Sequence, residues 1–524
     1  MPLAGILIKK PQNCGKTEEL RIKMATVVII GGGVSGLSAG IYTRLTGNRA
    51  IICEKHTTAG GNLTGWKRGE YTIDNCIHWL TGTNPATKTY KMWKELGALG
   101  NVEILQGGSI YTCEHNGRRL SLYNDLHKIK REMLEISPRD AKETRDFIAA
   151  VEYVQGICGI AGLEHDSALT SRERIIGLPA MAKYYSLSVG ELAKRFSHPL
   201  LRSFIASFWG DSFGALALIC VFAHFCGNNG GIPRGGSIAM AHRMEERFKH
   251  LGGELMTGAE VIRISSKNGK ADSVILADGT RLNADFVVLT TDPAIAFGHL
   301  LDLPMPKRLA RLYNSPKFKR FSCYHTAFAC DMNALPFNGD FVIKIPPQYR
   351  PLLLSENFVL REFSHEKDFA PKGKNVMQTM TFINESEAWE FIELKKRDRA
   401  AYRKRKQEIS SAIQELILDQ FPEMSGRLSL IDSWTPATYR RYVGSEIGSF
   451  MSFTMPSDFL PIRLSNRIPG LSNVILATQW QQAPGGLPIA AECGKLAAET
   501  IAIQVRKSEA KEGKQIDRKV AIRT

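Results

Sequence analysis

The sequence has no pair of cysteines with C-x-x-C spacing, although it contains ten cysteines among 524 residues. Several of them lie in apolar runs, which indicates buried free thiols in a reducing compartment rather than a disulfide framework. The spacing of the His and Cys residues offers no metal site either. Apolar stretches are short: the longest, Ala215 to Cys226, has 12 residues, whereas a helix that spans a bilayer needs about 20. These absences favour a cytoplasmic protein that is soluble or peripheral to a membrane.

The charge of the chain is basic. Its net charge is +16, and part of this excess lies at the two ends. We expect residues 1–23 to be an extension outside the fold, without the apolar core of a signal peptide, and residues 506–524 to be a disordered basic tail. A basic excess of this kind fits an acidic lipid surface as well as a nucleic acid. We predict no nucleic-acid partner and leave a peripheral membrane contact open.

The most informative local signal is an apolar run that leads directly into a glycine motif. Residues 27–30 read Val-Val-Ile-Ile, and Gly31, Gly33 and Gly36 follow with the spacing G-x-G-x-x-G. Further along, Glu54 closes a second apolar run. A strand, a glycine turn, a helix, a second strand and an acid in this order are typical of a dinucleotide-binding site.

Each residue of this motif has a physical task. Gly31 allows a tight turn where the strand ends, Gly33 lets a pyrophosphate approach the backbone, and Gly36 lets the helix lie close to the strand. The helix, expected from Val34 to Leu45, directs its N-terminal amides and the positive end of its dipole at the phosphates. Glu54 can accept hydrogen bonds from ribose hydroxyls, and its charge would repel a 2′-phosphate.

A second glycine turn lies near the C-terminus. Residues 474–478 form an apolar run and its exit, and Pro484-Gly485-Gly486-Leu487 then leads into a helix of small residues. The N-terminal dipole of this helix would point at whatever the first site holds. A plain NAD-binding unit has no need of such an element.

The chain alternates between two textures, which predicts a discontinuous dinucleotide-binding domain with insertions. We expect this domain to comprise residues 24–99, 228–300 and 465–505, and a second domain to comprise residues 100–227 and 301–464. Strand-like runs in the second domain occur at 321–330, 340–345 and 376–383. A basic stretch that begins at Lys395 predicts one charged helix with a solvated face, which ends before Pro422.

Together these segments resemble the FAD-dependent phytoene desaturase, carotenoid isomerase and retinol saturase group within the amine-oxidase-like flavoproteins. The likeness covers about residues 24–505. It is carried by the glycine motif with Glu54 and Gly60-Gly61, by residues 231–236, by the runs at 260–264 and 285–292, and by residues 484–490. The sequence departs from this group at Ala477, where glycine is common, and in the polar segment 479–482.

The resemblance implies an α/β fold, in which a Rossmann-like FAD-binding domain carries an inserted α+β substrate domain. It also implies FAD as the cofactor. Gly31, Gly33 and Gly36 would hold the FAD pyrophosphate, and Glu54 would hold the adenosine ribose.

Further residues would surround the rest of the cofactor. Gly60 and Gly61 would pass the ribityl region, and the backbone of Val261 would meet the adenine. Gly486 and Leu487 would face the N1–C2 carbonyl side of the flavin, where a helix N-terminus stabilises the negative charge of the reduced ring. The other residues that we assign to cofactor binding are Val34, Ser35, Lys55, Asn62, Thr291, Pro484 and Gly485.

Flavin chemistry needs no protein nucleophile, so the catalytic residue to expect is a general acid or base. His78 lies on a segment that resembles the group's flavin-side strand, and it could move a proton while hydride passes to or from flavin N5. A hydrogen-bonded core histidine is the alternative interpretation. Trp79 and Trp480 are candidates for the wall of the flavin cavity and Tyr439 and Tyr442 for the substrate cavity, although packing alone would also explain all four.

We therefore predict an FAD-dependent oxidoreductase that acts on a CH–CH bond of a hydrophobic isoprenoid or lipid-like substrate, as a desaturase, a saturase or an isomerase. The apolar, aromatic block 200–226 fits a greasy channel or a core helix. Two alternatives stay open: an amine or amino-acid oxidase, and a non-catalytic lipid-binding protein like the Rab GDP-dissociation inhibitors. The intact glycine motifs argue against the second. The sequence leaves the external electron donor or acceptor open.

Overall fold

The computed structural model describes residues 24–106, 108–157, 179–459 and 463–521, with the backbone alone described from residue 511 onward. The expected extension over residues 1–23 lies outside these residues.

A six-stranded sheet lies at the centre of one part of the molecule, which we call the first half. The strands of this sheet are, in spatial order, Glu254–Thr257, Arg49–Glu54, Thr26–Ile30, Phe286–Leu289, Leu471–Leu476 and Arg467–Ile468. All neighbours pair in parallel except the last two, which are antiparallel. Both faces of the central strand are buried, as its continuous apolar sequence requires in a parallel sheet.

Two helices pack side by side against this sheet. The first spans Val34–Leu45, as predicted, and the last spans Leu487–Ala521. They approach closely at Gly494, where an added Cβ would lie 2.3 Å from the carbonyl oxygen of Ser35. The last helix corrects one expectation, because it continues through residues 506–521, which we had expected to be disordered. Its Lys, Arg, Glu and Ala residues are good helix formers.

A seven-stranded sheet forms the second half. Its strands are, in spatial order, Leu428–Trp434, Phe321–Cys330, Asn375–Asn384, Asn357–Glu362, Asp340–Lys344, Ser109–His115 and Arg118–Tyr123. Neighbours pair antiparallel except Asp340–Lys344 with Ser109–His115, which run in parallel. The sequence reading missed Asn357–Glu362 and Leu428–Trp434, because neither keeps a regular alternation of apolar and polar residues.

The structure also contains three smaller sheets. Their strands are Gly65–Arg68 with Tyr71–Asp74; Leu80–Thr81 with Gly230–Pro233 and Ile104–Leu105; and Val261–Lys267 with Lys270–Leu276 and Arg281–Asn283. The other α-helices of three turns or more are Leu126–Ile136, Ala141–Ile157, Ala215–Cys226, Gly236–His250, Glu385–Arg397 and Arg399–Gln420. Shorter α-helices include Lys88–Glu95, Val189–Lys194, Pro199–Ala206, Pro293–Ile295, Lys307–Tyr313, Arg350–Leu353 and Pro436–Val443.

The basic stretch is not one helix, as we had expected. The helical conformation is interrupted at Asp398, whose backbone is extended. Its carboxylate accepts hydrogen bonds from the amides of Ala400 and Ala401, both at 2.9 Å. Asp398 is therefore the N-cap of a second helix. Within the described ranges, no helix combines the length and the apolar character that a membrane crossing demands.

Candidate functional site

One large cavity takes its walls from both sheets. Ile30 and Glu54 line it from the carboxyl ends of two parallel strands, whereas Val342 and Met380 line it from the seven-stranded sheet. Ligands of open parallel sheets bind at the carboxyl ends of the strands. The cavity therefore lies where the sequence places a dinucleotide.

Almost all the predicted site residues line this cavity. They are Gly31, Gly33, Val34, Ser35, Glu54, Lys55, Gly60, Gly61, Asn62, His78, Val261, Thr291, Pro484, Gly485, Gly486 and Leu487. Gly36 does not line it. An added Cβ at Gly36 would lie 1.9 Å from the carbonyl oxygen of Gly31, so this glycine allows the helix to lie against the strand end.

The other two glycines of the motif differ from Gly36 and from each other. Gly31 has φ +103°, a backbone conformation that favours glycine. Gly33 has φ −70°, and an added Cβ there would have no neighbour closer than 3.8 Å. The described residues thus leave room for a β-carbon at Gly33, and the bare backbone leaves this space for a ligand.

The Gly60-Gly61 segment packs directly on this turn. The amide of Gly60 donates to the carbonyl of Gly32 at 2.8 Å, and an added Cβ at Gly61 would lie 3.1 Å from the Cα of Gly33. Two backbone segments without side chains therefore share one corner of the cavity.

Glu54 is a buried carboxylate with two fixed hydrogen bonds. Its Oε2 accepts from the amide of Gly32 at 2.7 Å and its Oε1 from the amide of His56 at 2.9 Å. A carboxylate has about four lone-pair sites, so it can still accept from a ligand hydroxyl. Glu54 thus also holds the glycine turn in place, a role that the sequence reading did not foresee.

The cation beside Glu54 faces the same end of the cavity. Lys55 donates to the carbonyl of Arg441 at 3.0 Å, and burial lowers its pKa. Next to it, the ring of Tyr442 stacks on His56 with 4.8 Å between centroids. Tyr442 lines the cavity at this end. The other tyrosine proposed for the substrate cavity, Tyr439, is not among the lining residues and bonds to Asn75 and His325.

The second glycine turn opens into the same cavity because the two helices are fixed to each other. Ser38 of the first helix donates to the carbonyl of Ala491 in the last helix at 2.5 Å, and Ser35 donates to the carbonyl of Ala477, directly after the strand Leu471–Leu476, at 2.5 Å. Both helices begin at the cavity, so the positive ends of both dipoles point towards it. Ala477, the residue that departs from the resembling group, still supplies its carbonyl to this contact.

The amide of Gly486 has a partner that the sequence did not reveal. It donates to Oε1 of Gln479 at 2.8 Å. The Gly486 amide, which we had expected to face a flavin, is therefore already hydrogen-bonded to Gln479. The next backbone N–H groups at the start of the helix are those of Leu487 and Ile489, since Pro488 has no N–H. The polar segment 479–482 thus has a structural reason: Gln481 likewise caps the amide of Thr478 at 2.9 Å.

Four buried polar atoms in the cavity wall have no partner among the described residues. They are Oδ1 of Asn62, Nε1 of Trp209, Oγ1 of Thr291 and Oγ of Ser449. Buried polar atoms are nearly always hydrogen-bonded, so a polar ligand that reaches them would satisfy them. Asn62 is held in place through its Nδ2, which donates to the carbonyl of Phe450 at 3.1 Å.

The rest of the cavity is mostly apolar. The apolar and aromatic side chains that line this part are Trp79, Leu80, Ile110, Tyr111, Phe208, Trp209, Val221, Val342, Val359, Met380, Phe382, Met451 and Trp480. Most of the aromatic block 200–226 instead packs in the core between the helices and the second sheet. The core interpretation therefore holds for most of the block, while Phe208, Trp209 and Val221 line the cavity and the greasy channel stays a prediction.

His78 lies on the wall of this part of the cavity. Its Nδ1 is 3.2 Å from Oδ2 of Asp340, and its side chain is 28% exposed. It is therefore neither fully buried nor free in solvent. The neighbouring Cys76 also lines the cavity, and burial raises the pKa of its thiol to about 12.

The comparison with protein families shows to which family the chain belongs. The model of the flavin containing amine oxidoreductases matches residues 34–502. The chain belongs to this family. Prolycopene isomerase from Daucus carota is 23% identical over 453 residues, which cover 81% of this chain and 71% of that protein. The lycopene-forming phytoene desaturase from Pantoea ananas is 24% identical over 289 residues, which cover 53% of this chain and 58% of that protein.

Solved structures confirm the predicted α/β fold class. Cyclohexylamine oxidase from Brevibacterium oxydans IH-35A superimposes with a TM-score of 0.57 at 15% identity, over 92% of this chain and all of that chain. At this identity the likeness shows the fold alone. The chain is thus an enzyme of a flavin-containing family, as the sequence predicted, and it is similar to a prolycopene isomerase and a phytoene desaturase.

Proposed function

We propose that this protein is an FAD-dependent oxidoreductase that adds or removes hydrogens across a carbon–carbon bond of a hydrophobic isoprenoid or lipid-like substrate. One observation carries the proposal: a single cavity has a glycine cradle with a buried acid at one end and apolar walls at the other. A dinucleotide cofactor fits the first part, and a hydrophobic substrate fits the second.

The residues present suit FAD. Gly33 leaves its Cα bare towards the cavity, and Glu54 offers acceptor sites for ribose hydroxyls. The unpartnered oxygens of Asn62 and Thr291 would meet polar atoms along the cofactor. When bound, FAD supplies the atom N5 that accepts or donates hydride. The helix start at Leu487 would direct its positive dipole end at the ring.

The protein's own contribution at the apolar end is exclusion of water and control of one proton. Trp79, Phe208 and Trp480 wall the cavity. With Nδ1 directed at Asp340, His78 has Nε2 left for the cavity, where it takes a proton from the substrate or returns one. His78 is the polar side chain that we assign to catalysis.

The comparisons support this chemistry over the oxidation of amines. The relatives in sequence are named for prolycopene and phytoene, and another, a component of the limonene dehydrogenase from Castellaniella defragrans, is 26% identical over 309 residues. The amine oxidases are similar in fold. We therefore place the chain with enzymes of hydrophobic isoprenoids and keep amine oxidation as the outcome that the test can reveal.

The test follows the absorbance of the bound flavin near roughly 450 nm, the long-wavelength band of the oxidised cofactor. Protein reconstituted with FAD is mixed without oxygen with phytoene in detergent micelles, and in parallel with cyclohexylamine and with putrescine. The dithionite-reduced protein is mixed with carotenoid polyenes, whose isomers and saturated products are separated by chromatography. Bleaching or product formation with the isoprenoids alone supports the proposal. Bleaching by the amines alone, or failure to bind FAD at all, contradicts it.

A further inference from the structure

Three charged or titratable side chains meet at one wall of the cavity. Oδ2 of Asp340 lies 3.2 Å from Nδ1 of His78, and Oδ1 of Asp340 lies 3.6 Å from Nε of Arg361. Nη2 of Arg361 also donates to the carbonyl of His78 at 3.3 Å. The exposed fraction of the side chain falls from 28% at His78 to 11% at Asp340 and 5% at Arg361. The group therefore runs from the cavity into the interior.

The seven-stranded sheet fixes the two inner members. Asp340 and Arg361 are directly opposite each other on adjacent antiparallel strands. Opposite charges in this position attract. The guanidinium of Arg361 also lies over the ring of Phe363, 4.6 Å from its centroid. The carboxylate of Asp340 is thus held with one oxygen towards Arg361 and the other towards His78.

The segment that carries His78 is fixed from its other side. The amide of Ile77 donates to the hydroxyl of Ser237 at 2.9 Å. Ser237 in turn donates to the carboxylate of Asp74, from its amide and from its hydroxyl, both at 2.5 Å. The backbone next to His78 therefore cannot shift without breaking contacts with a helix of the first half of the molecule.

We propose that Asp340 is a positioning residue that fixes the tautomer of His78, with the proton on Nδ1 and the lone pair on Nε2. The reason is chemical: an ionised carboxylate only accepts hydrogen bonds, so the nitrogen that faces it must carry the proton. Arg361 keeps Asp340 oriented and secures the acceptor for His78. The catalytic use of this tautomer rests on the proposed function, whereas the tautomer itself is a property of His78 and Asp340 alone.

The sharpest variant is Asp340→Asn. An amide has one acceptor and one donor end, and Arg361, which only donates, will face the oxygen. The NH2 group then faces Nδ1 of His78, which must become the acceptor, so the proton moves to Nε2. The same change in a serine protease triad produces the wrong tautomer while the geometry stays intact.

The measurement is a nitrogen-15 NMR spectrum of the FAD-loaded protein labelled at histidine, recorded about two pH units above the typical histidine value of about 6.5. The signals of His78 are identified by their loss in His78→Gln. We expect Nδ1–H in the wild type and Nε2–H in Asp340→Asn. The matched control is Asp432→Asn, which changes a carboxylate of the same sheet that bonds to Trp66 at 2.9 Å; it should leave the tautomer of His78 as in the wild type.

The kinetic arm uses the same variants. With the flavin spectrum unchanged, turnover should fall at least tenfold in Asp340→Asn and stay at the wild-type level in Asp432→Asn. A wild-type His78 with its proton on Nε2 alone overturns the inference, as does an Asp340→Asn variant whose tautomer is unchanged. If the tautomers behave as expected but no isoprenoid substrate is found, the proposed function fails and the positioning by Asp340 stands.

Discussion

Substitution of Gly33, which has no side chain, is the most discriminating test of the cofactor proposal. Its φ of −70° suits any residue, and an added Cβ would meet nothing closer than 3.8 Å. At the N-cap of a helix, Ala stabilises the folded protein less than Gly does, by about 0.5–1 kcal/mol. Ala also lowers the conformational entropy of the unfolded chain, which offsets about 0.4–1 kcal/mol of this loss. Gly33→Ala should therefore change the free energy of unfolding of the apoprotein by less than about 1 kcal/mol.

The affinity for FAD should respond quite differently. The new methyl group would occupy the space in which the diphosphate approaches the turn, and each lost hydrogen bond to a charged group costs about 1.5–3 kcal/mol. A loss of about 3 kcal/mol corresponds to a roughly hundredfold higher Kd. Gly33→Val, which adds two further methyl groups, should abolish retention of the cofactor.

Two assays on the same proteins separate stability from affinity. Urea unfolding of the apoproteins gives the first quantity, and titration of the apoprotein with FAD, followed by flavin fluorescence, gives the second. Gly36→Ala is the matched contrast, because its Cβ would lie 1.9 Å from the carbonyl of Gly31 and should destabilise the apoprotein itself. A Gly33→Val protein that purifies with full flavin occupancy would refute the reasoning.

Three further predictions concern the acid of the cofactor cradle and two histidines. Glu54→Ala should weaken FAD binding by about 1–3 kcal/mol, measured by calorimetric titration; an unchanged affinity would count against contact with the ribose. His78→Gln should slow turnover by about 10²–10⁴-fold with the flavin spectrum intact, and an unaltered rate would leave His78 a structural role only. Burial lowers the pKa of His325 from 6.5 to about 3, so the unfolded chain binds an additional proton between these values and stability falls as the pH drops through this window. In His325→Gln, the free energy of unfolding measured in urea should fall less over this window than in the wild type; equal losses would contradict the assignment.

The local parts of the site could be predicted from the sequence because they depend on neighbours in the chain. An apolar run followed by Gly31, Gly33 and Gly36 specifies a buried strand, a tight turn and a helix start within ten residues. The structure has these elements at Thr26–Ile30 and Val34–Leu45. The roles that we assign to these residues towards FAD remain proposals, since they concern a ligand.

The contacts between distant segments could not be predicted in the same way. Asp340 and His78 are 262 positions apart, and no spacing in the chain relates them. The same holds for Gln479, which accepts a hydrogen bond from the amide of Gly486. The sequence shows that the segment around Gln479 is unusually polar, but the partner of this side chain depends on how the turn folds back. One missed feature did have a local signal, because an Asp such as Asp398, placed before a run of helix formers, is a typical N-cap.

The central claim is that two helix starts, far apart in the sequence, serve one flavin. A crystal structure of the protein with FAD tests this most directly. We expect density for the diphosphate against the turn at residues 31–36 and for the isoalloxazine ring beside Leu487. Density for FAD that contacts only one of these turns, or that lies outside the cavity they share, would contradict the account.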